Sequence, residues 1–393
     1  MANLVADFPT TTHLDIQPLA EVSVCIAFGL LLTSHPRLGN PEHRRKVAQL
    51  VFLVAVATHL ANYAWSFAAK MSLRGPFGAW LTDNNPAYIF LAALDNNHIL
   101  FSGFPKAVGR LYDLLDHHHL AGNLLLLIVQ ASAAFILLMP HRSLVLLLLL
   151  LDVMHLSIIV VAGANFWPWI MLNVIITIVV LARDAPRPSF GLRLIATGFI
   201  LISPVFVAVA RLGWFDAGAH NRIFVEAVDR NGTHYQVPSN FFTFYSYSFA
   251  HMDYGSPAPD TEFATQEPNG GAADYALFQA GRRCDVHALV RPHSNNELDP
   301  VRLAAFLRHY HQLVLDVTAH LGAFPYNFYP HHFFVPSSSS QAFSNLDKRL
   351  IVSYLYRRES VCLGFDANGL QRKVVSSASF TIDLGEEKRF DGS

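Results

Sequence analysis

The stretch Leu144–Ala162 reads LVLLLLLLDVMHLSIIVVA and is apolar apart from three polar side chains, Asp152, His155 and Ser157. Crossing the hydrocarbon core of a bilayer takes roughly 17–25 mainly apolar residues in a helix. This stretch is therefore predicted to be a transmembrane helix. Because residues three apart lie on one face of a helix, it would carry Asp152 and His155 side by side within the membrane.

Further apolar runs surround this stretch. They cover Leu19–Thr33, Val47–Ala69, Leu120–Met139, Trp167–Ala182 and Leu194–Ala210. The sequence thus predicts a multi-pass α-helical membrane domain of about six transmembrane helices over residues 1–212.

The composition of the whole chain agrees with this prediction. Of its 393 residues 52% are hydrophobic and 15% are charged, with a mean hydropathy of +0.31. Soluble domains carry about 25% charged residues, and disordered chains more. The 28 Lys and Arg balance 29 Asp and Glu, which excludes a nucleic-acid binder that relies on basic patches. The expected partners are the lipid bilayer and either a lipophilic small molecule or a membrane or secreted protein.

Residues 213–393 have an ordinary soluble composition and predict an α+β domain with a mainly antiparallel sheet. Alternating apolar residues flank a turn at Asn231-Gly232, which is a hairpin signal. Asp299 and Pro300 are typical of a helix start, and that helix should end near Leu321. Strands are predicted over Leu350–Tyr356, Ser360–Phe365 and Val374–Leu384, and loops over Gly255–Ala273 and Pro336–Ser340. Cys284 and Cys362 could form one bridge, which the sequence alone does not decide.

Basic residues in the short loops predict the topology. They cluster after the first, third and fifth apolar runs, at Arg37, Arg44, Arg45, Lys46, Arg142, Arg183, Arg187 and Arg193. These loops should face the cytoplasm, so the C-terminal domain should lie on the other side. The chain is expected in a bacterial inner membrane, or in the endoplasmic reticulum membrane of a eukaryote, with a periplasmic or lumenal C-terminal domain.

The segment Lys70–His119 is too long for a plain loop. Asp83–Asn85 and Asp95–Asn97 have the same sequence, Asp-Asn-Asn, and flank the apolar stretch Ala87–Leu94. That stretch is too short to cross a bilayer, so the segment is predicted to be an interfacial helix or a cap over the outer mouth. The repeated Asp-Asn-Asn is interpreted as helix-cap and turn chemistry.

Polar side chains within the predicted spans are the candidate functional residues, because a polar group is expensive inside a bilayer. His59, Asn62 and Ser66 share one face of the second span. The candidate catalytic residues are Asp152, His155 and His59, and the candidate substrate- or cofactor-binding residues are Asn62, Gln130, Asn173 and Trp167.

A buried carboxylate needs a partner or a proton, and a neighbouring histidine can supply either. A His–Asp pair can therefore move protons. Two histidines and a carboxylate also suit a metal, but proton transfer is favoured and no metal is assigned. For Asn62, Ser66 and Gln130 taken singly, hydrogen bonding between helices is the favoured role.

The residues 152–159 (DVMHLSII), 163–169 (GANFWPW) and 171–173 (MLN) resemble the horizontally transferred transmembrane (HTTM) domain, the family that includes the vitamin K-dependent γ-carboxylases. The general resemblance covers about residues 45–210. It implies an oxidative or carboxylase-like membrane enzyme that uses a reduced quinone-type cofactor. Lys70 and Lys106 are the only lysines between the second and third spans, and neither lies in a motif that matches the family's catalytic lysine.

Three functions are compatible with these observations. The first is a membrane-embedded enzyme with an intramembrane polar site that acts on a lipophilic cofactor or substrate. The second is a proton-coupled transporter, although the sequence shows no inverted repeat. The third is a non-catalytic membrane anchor or assembly factor whose C-terminal domain binds a partner protein.

Overall fold

The computed structural model describes residues 40–182, 188–207, 209–242, 271–272, 274–289, 300–322 and 337–385, together with residues 22, 23, 26, 27 and 29.

The N-terminal half of the described chain is helical. Its helices are α1 (Pro41–Met71), α2 (Ala79–Asp83), α3 (Ala87–Asp95), α4 (Pro105–Ser132), α5 (His141–Ala162), α6 (Trp167–Leu181) and α7 (Phe190–Ile202). The side chain of Asn40 caps α1 by accepting from the backbone N–H of Glu42 at 2.9 Å. α1 packs against α7 and α4, and α5 packs against α6, with a shared apolar core between them.

Two of these helices, α1 with 31 residues and α5 with 22, are long and apolar enough to cross a membrane; α6 and Phe190–Val205 are shorter apolar helices. The outer face of α5 exposes apolar side chains, among them Leu146, Val153 and Leu156, each more than half exposed. A contiguous apolar surface of this kind is typical of contact with lipid or with another protein. The full set of six spans remains a prediction.

The remaining apolar runs differ in detail from their predicted spans. Leu120–Met139 is the second part of α4, which starts earlier at Pro105, bends at His118 and is followed by a 3-10 turn at Ile136–Leu138. α6 measures about 22 Å at 1.5 Å per residue, less than the ~30 Å of a hydrocarbon core. Most of Leu19–Thr33 lies outside the described residues; Val22, which is helical, packs against Ala55 and Leu172.

The C-terminal part contains the predicted antiparallel sheet, with strand order β3-β2-β5-β6. Its elements are β1 (Phe215–Asp216), β2 (Ala219–Asp229), β3 (His234–Gln236), β4 (Gly271–Ala272), α8 (Tyr275–Arg283), α9 (Val286–Leu289), α10 (Pro300–Leu321), α11 (Ser337–Asn345), β5 (Ile351–Asp366) and β6 (Gly369–Asp383). β1 and β4 pair separately. The apolar stripe of α10, including Leu303, Phe306 and Tyr310, packs on the sheet against Ile223 and Val225.

Two details of the C-terminal prediction are wrong. Leu350–Tyr356 and Ser360–Phe365 form one strand, β5, because Arg357 and Glu359 continue the pairing opposite Phe224 and Arg222 of β2. Most of the predicted loop Pro336–Ser340 lies in α11, which Phe343 anchors by packing its ring 4.9 Å from that of Phe241. Most of the predicted loop Gly255–Ala273 lies outside the described residues.

A disulfide joins Cys284, at the end of α8, to Cys362 of β5, with their Cα atoms 5.9 Å apart. The bridge fastens the α8 segment to the central strand of the sheet, 78 residues later in the chain. Disulfides of this structural kind are typical of oxidising compartments.

The first Asp-Asn-Asn segment docks the cap, residues 70–119, onto the C-terminal part. Asn84 exchanges two hydrogen bonds with Asp216, of 2.9 and 2.7 Å, and the hydroxyl of Tyr275 donates to Asp83. Asn85 shows the expected turn chemistry, because its side chain accepts from the backbone N–H of Ala87. Asn97 shows the expected helix-cap chemistry, because it ends α3 with a φ of 59° while the N–H groups of Asn97 and His98 bond the carbonyls of Leu94 and Ala93.

The second Asp-Asn-Asn segment begins with a buried carboxylate, Asp95. Its Oδ1 lies 2.9 Å from Arg222 of β2 and 2.9 Å from Arg372 of β6, and its Oδ2 lies 3.6 Å from His220. Burial alone would raise the pKa of Asp95, but the adjacent His220 and the charges of Arg222 and Arg372 outweigh it and lower the pKa. One side chain of the cap therefore holds two strands of the sheet.

Replacing Asp95 with Asn should lower the free energy of unfolding by about 3 kcal/mol, because it leaves the half-buried Arg222 without its carboxylate partner and Arg372 with Glu359 alone. The measurement is the thermal unfolding midpoint of the purified protein in detergent, with protease sensitivity of the cap as a second readout. Asp113→Asn, an exposed acid on α4, is the matched control and should leave both unchanged. Equal midpoints for the two variants would contradict the role of Asp95.

Asp216 should make stability depend on pH. Burial raises its pKa to about 6, although hydrogen bonds from Asn84 and Trp214 and the charge of Lys70 lower it. A carboxyl whose pKa is raised on folding stabilises the protein below its ordinary pKa near 4, and this stabilisation is lost as the pH rises to about 6. Unfolding midpoints should fall between pH 4 and 6, and Asp216→Asn should remove that part of the slope. An unchanged slope in the variant would contradict the assignment.

Candidate functional site

Three helices bring four of the predicted site residues together. His59 lies on α1, Asp152 and His155 on α5, and Asn173 on α6. His59, His155 and Asn173 are buried, and Asp152 is half-buried. We call these four residues, with Tyr63, the polar cluster.

Local sequence positions each of these side chains. His59 and Tyr63 are four residues apart and share one face of α1, as Asp152 and His155, three apart, share one face of α5. α5 ends at Gly163, which has a φ of 66° and sits against the backbone of His98. A Cβ at this position would clash with the carbonyl of His98, so glycine allows the tight turn that returns α6 against α5.

The amide of Asn173 connects the three helices. Its Nδ2 donates to Asp152 Oδ1 at 2.7 Å and to the Tyr63 hydroxyl at 3.5 Å. Its Oδ1 lies 2.8 Å from His59 Nε2, and the Tyr63 hydroxyl lies 3.0 Å from His155 Nε2. The result is one continuous hydrogen-bonded network among five side chains.

This network determines which ring nitrogen carries a proton in each histidine. The ionised carboxylate of Asp152 only accepts, so the amide nitrogen of Asn173 faces it and the amide oxygen faces His59. His59 must then carry its proton on Nε2, which leaves a lone pair on Nδ1. The Tyr63 hydroxyl has one proton to donate, and of its two described partners Asn173 Nδ2 is itself a donor, so the acceptor is His155 Nε2 and the proton of His155 lies on Nδ1.

The two Nδ1 atoms thus have opposite character, a lone pair on His59 and an N–H on His155. Both are buried, and neither has a hydrogen-bond partner among the described residues. Buried polar atoms are nearly always hydrogen-bonded, so two unpaired atoms in one cluster are consistent with a bound molecule or with proton transfer.

Aromatic rings surround the polar cluster. The ring of Trp169 lies 5.7 Å from His59, 5.1 Å from Tyr63 and 5.6 Å from His155, measured between centroids. Phe166 lies 5.4 Å from His155. These rings keep the histidines in fixed orientations and give the cluster an apolar environment.

Asp152 reaches the surface of the helical domain beside exposed apolar side chains. Val153 is 61% exposed and Leu156 is 53% exposed on the same helix, and Met171 on α6 is 43% exposed. The carboxylate therefore connects the buried amide of Asn173 to the outer surface of α5 and α6. If these helices lie in the bilayer, that surface faces lipid.

The predicted binding residue Asn62 has a different position. Its side chain accepts from the backbone N–H of Ala210 at 2.8 Å, and Ser66 and Lys70 bond the backbone of Ala210 and Leu212. Four residues of an α-helix advance by about 6.0 Å along its axis, and two residues of extended chain advance by about 6.6 Å. Side chains four residues apart on α1 can therefore bond backbone groups two residues apart in the adjacent segment. Asn62 thus holds the connecting segment 210–212 against α1.

Gln130 is buried on α4 beside Val129, which belongs to the helical core. Trp167 begins α6 and is half-buried, and Trp169, two residues later, supplies the ring against both histidines. Of the predicted binding residues, Asn173 belongs to the polar cluster, and Asn62 bonds the connecting segment instead.

Two residues of the site, Tyr63 and Trp169, were not among the predicted site residues. Each has a simple sequence signal, because Tyr63 follows His59 by four residues and Trp169 precedes Asn173 by four. Four-residue spacing from a buried polar side chain would have identified both.

The described residues contain no group of three or more His, Cys, Asp or Glu side chains arranged to hold a metal ion. Within the polar cluster the amide of Asn173 lies between His59 and Asp152 and bonds both. The arrangement as it stands suits the movement of a proton along hydrogen bonds.

Replacing Asn173 with Leu should lower the free energy of unfolding by about 2–4 kcal/mol, because His59, Asp152 and Tyr63 each lose a buried hydrogen bond. Thr177→Val is the matched control, since the Thr177 hydroxyl, one turn later on α6, has no hydrogen-bond partner among the described residues. Thermal unfolding in detergent measures both. Equal stability of the two variants would show that the amide does not hold the helices together.

Comparisons with known proteins find no family model, no curated protein and no solved structure that matches this chain. The resemblance to the HTTM family therefore rests on the quoted residues alone.

Proposed function

We propose that this chain is an integral membrane enzyme whose polar cluster transfers protons to and from a lipophilic substrate. The observation that carries the proposal is the opposite character of the two unpaired ring nitrogens. The lone pair on His59 Nδ1 can take a proton, and the N–H on His155 Nδ1 can donate a hydrogen bond or a proton.

The network gives each histidine a route for its proton. When His59 Nδ1 accepts a proton, the positive charge is stabilised through Asn173 by the carboxylate of Asp152. When His155 gives up its Nδ1 proton, the Tyr63 hydroxyl can pass its own proton to Nε2, which leaves a tyrosinate that accepts from Asn173 Nδ2 and recovers its proton from Nε2 when His155 is protonated again on Nδ1. In this proposal Asp152 and His155 are parts of an acid–base site, with His59 as the base.

The surroundings of Asp152 support a lipophilic substrate. The carboxylate is reached between exposed apolar side chains of α5 and α6, so a molecule dissolved in the bilayer can approach it from the side. Trp169 and Phe166 then offer apolar walls to the part of the substrate that enters.

Two independent features support a membrane location with the C-terminal domain on the non-cytoplasmic side. The basic residues cluster in the loops predicted to be cytoplasmic, and the Cys284–Cys362 bridge favours an oxidising compartment for the C-terminal domain. We therefore place the chain as a multi-pass protein of a bacterial inner membrane or an endoplasmic reticulum membrane. Its C-terminal domain is periplasmic or lumenal.

The HTTM resemblance is the reason to propose an oxidative or carboxylase-like reaction. Asp152, His155 and Asn173, which carry the resemblance, all belong to the polar cluster. The donor and acceptor nitrogens and the aromatic walls fit a hydroxyl-bearing flat molecule such as a reduced quinone, which when bound would supply reducing electrons. Lys70 lies about 16 Å along α1 from His59 at 1.5 Å per residue, so no catalytic lysine is assigned.

The test combines a chemical probe with product analysis. Dicyclohexylcarbodiimide is a lipid-soluble reagent that traps a carboxylate each time it takes up a proton, so it should label Asp152 in membranes as protons pass through the site, and a water-soluble carbodiimide should not. Extracts of native membranes that carry wild-type protein should contain a lipophilic product. Asp152→Asn or His59→Gln should reduce that product about 100-fold or more, the range of general acid–base catalysis.

Ser157→Ala is the matched control, because this exposed α5 hydroxyl bonds only the backbone of Met154 at 2.7 Å. It should retain both the labelling and the product. If the Asp152 and His59 variants lose folded protein together with product, only a structural role is supported. A proton flux in proteoliposomes that depends on Asp152, with no change in the lipid extract, would instead favour the transporter.

A further inference from the structure

Arg211 lies in the middle of the connecting segment 210–212, which α1 holds on both sides of this residue. The backbone N–H and C=O groups of Ala210 and of Leu212 all bond side chains of α1. Ala210 is buried and Leu212 packs against the helical core, whereas Arg211 between them is exposed. The side chain of Arg211 therefore lies on the outer side of a segment whose position is fixed.

The guanidinium of Arg211 lies over the ring of Trp65, 5.5 Å from the ring centroid, in a cation–π contact. The indole is itself fixed, because its Nε1 donates to the carbonyl of Ile200 on α7 at 3.0 Å. Among the described residues, no Asp or Glu side chain forms an ion pair with Arg211. Arg211 is thus a positioned cation that lacks an acidic partner in the described part of the chain.

Exposed apolar side chains lie next to this cation, at the end of α7. Leu201 and Ile202 directly follow Ile200 and are 48% and 52% exposed. Phe206 is 65% exposed, and its ring stacks on that of Phe199, with the centroids 6.3 Å apart. A cation beside an exposed apolar surface is suited to a ligand that has an anionic head and an apolar tail.

The position of Trp65 along α1 matches the depth at which the headgroups of a bilayer begin. The basic residues at the start of α1 end with Lys46, and from Val47 to Trp65 the helix rises about 27 Å at 1.5 Å per residue. The hydrocarbon core of a bilayer is ~30 Å thick, and tryptophan is enriched at its boundaries. With the basic end of α1 in the cytoplasm, Arg211 would lie level with the headgroups of the outer leaflet.

We propose that Arg211, positioned by Trp65, binds the phosphate of a phospholipid in the outer leaflet, with an acyl chain against Leu201, Ile202 and Phe206. This inference rests on the membrane location proposed above. The charges are complementary, since a phosphodiester is an anion and a guanidinium can donate two parallel hydrogen bonds to it. The apolar side chains favour a lipid over free phosphate, because a water-soluble anion would leave them uncovered.

Native mass spectrometry of the delipidated protein in detergent tests the site. Added phosphatidylglycerol should appear as an adduct on the 43.7 kDa chain, and diacylglycerol, which lacks the phosphate, should bind at least about tenfold more weakly. Arg211→Gln should weaken the phosphatidylglycerol adduct by a similar factor, whereas Arg211→Lys, which keeps the charge, should lose less. Arg110→Gln, which removes an exposed charge from α4, is the matched control and should bind like the wild type.

Several results would overturn the lipid site. They are equal adducts on the wild type and Arg211→Gln, an equal loss in Arg110→Gln, and displacement of the lipid by an equal concentration of inorganic phosphate. Thermal unfolding midpoints without added lipid show whether each variant is folded, and adding phosphatidylglycerol should raise the midpoint of the wild type but not that of Arg211→Gln.

Two controls separate this inference from the proposed function. A wild-type chain that alkaline carbonate removes from membranes would contradict both the membrane location and the lipid site. A chain that stays in the membrane but fails the adduct test would contradict the lipid site alone. Asp152→Asn should keep the adduct, because the lipid site does not use the polar cluster.

Discussion

The hydrogen bonds of one amide, that of Asn173, join three helices of the N-terminal half of the chain. Its nitrogen bonds Asp152 and Tyr63, and its oxygen bonds His59. An amide has a donor end and an acceptor end, so its orientation sets the protonation of both histidines. A carboxylate at this position would have no donor for Asp152, and an apolar residue would make none of these hydrogen bonds. The proposed chemistry and the packing of α1, α5 and α6 therefore both depend on the orientation of this amide.

The position of the cap, residues 70–119, depends on a second set of polar contacts. Asp95 joins α3 to two strands, Asn84 joins the cap to Asp216, and the backbone of His98 fits against Gly163 at the turn between α5 and α6. The cap thus covers the turn at Gly163, which positions Asn173, and the cap is itself bonded to the C-terminal sheet. The C-terminal sheet therefore helps to hold the cap in place, through Arg222 and Arg372 on Asp95 and Asp216 on Asn84.

The sequence predicted the parts that follow from local spacing. His59, Asp152, His155 and Asn173 were identified because polar residues stand out in apolar helices, and the antiparallel sheet was identified from alternation. The partner of Asn62 was not predicted, because helical spacing cannot tell which neighbour a helix face meets, and the side chain bonds the backbone of Ala210. The docking roles of Asp83, Asn84 and Asp95 depend on contacts more than a hundred residues away, which no local pattern contains.

The proposed site requires opposite tautomers of the two histidines. Nitrogen NMR of histidine-labelled protein in lipid can show which ring nitrogen of each histidine carries the proton. Resonances assigned with His59→Gln and His155→Gln should show the proton on Nε2 of His59 and on Nδ1 of His155. Replacing Asn173 with Leu should abolish the difference. Identical tautomers in the wild-type protein, or a difference that persists without Asn173, would contradict the proposed site.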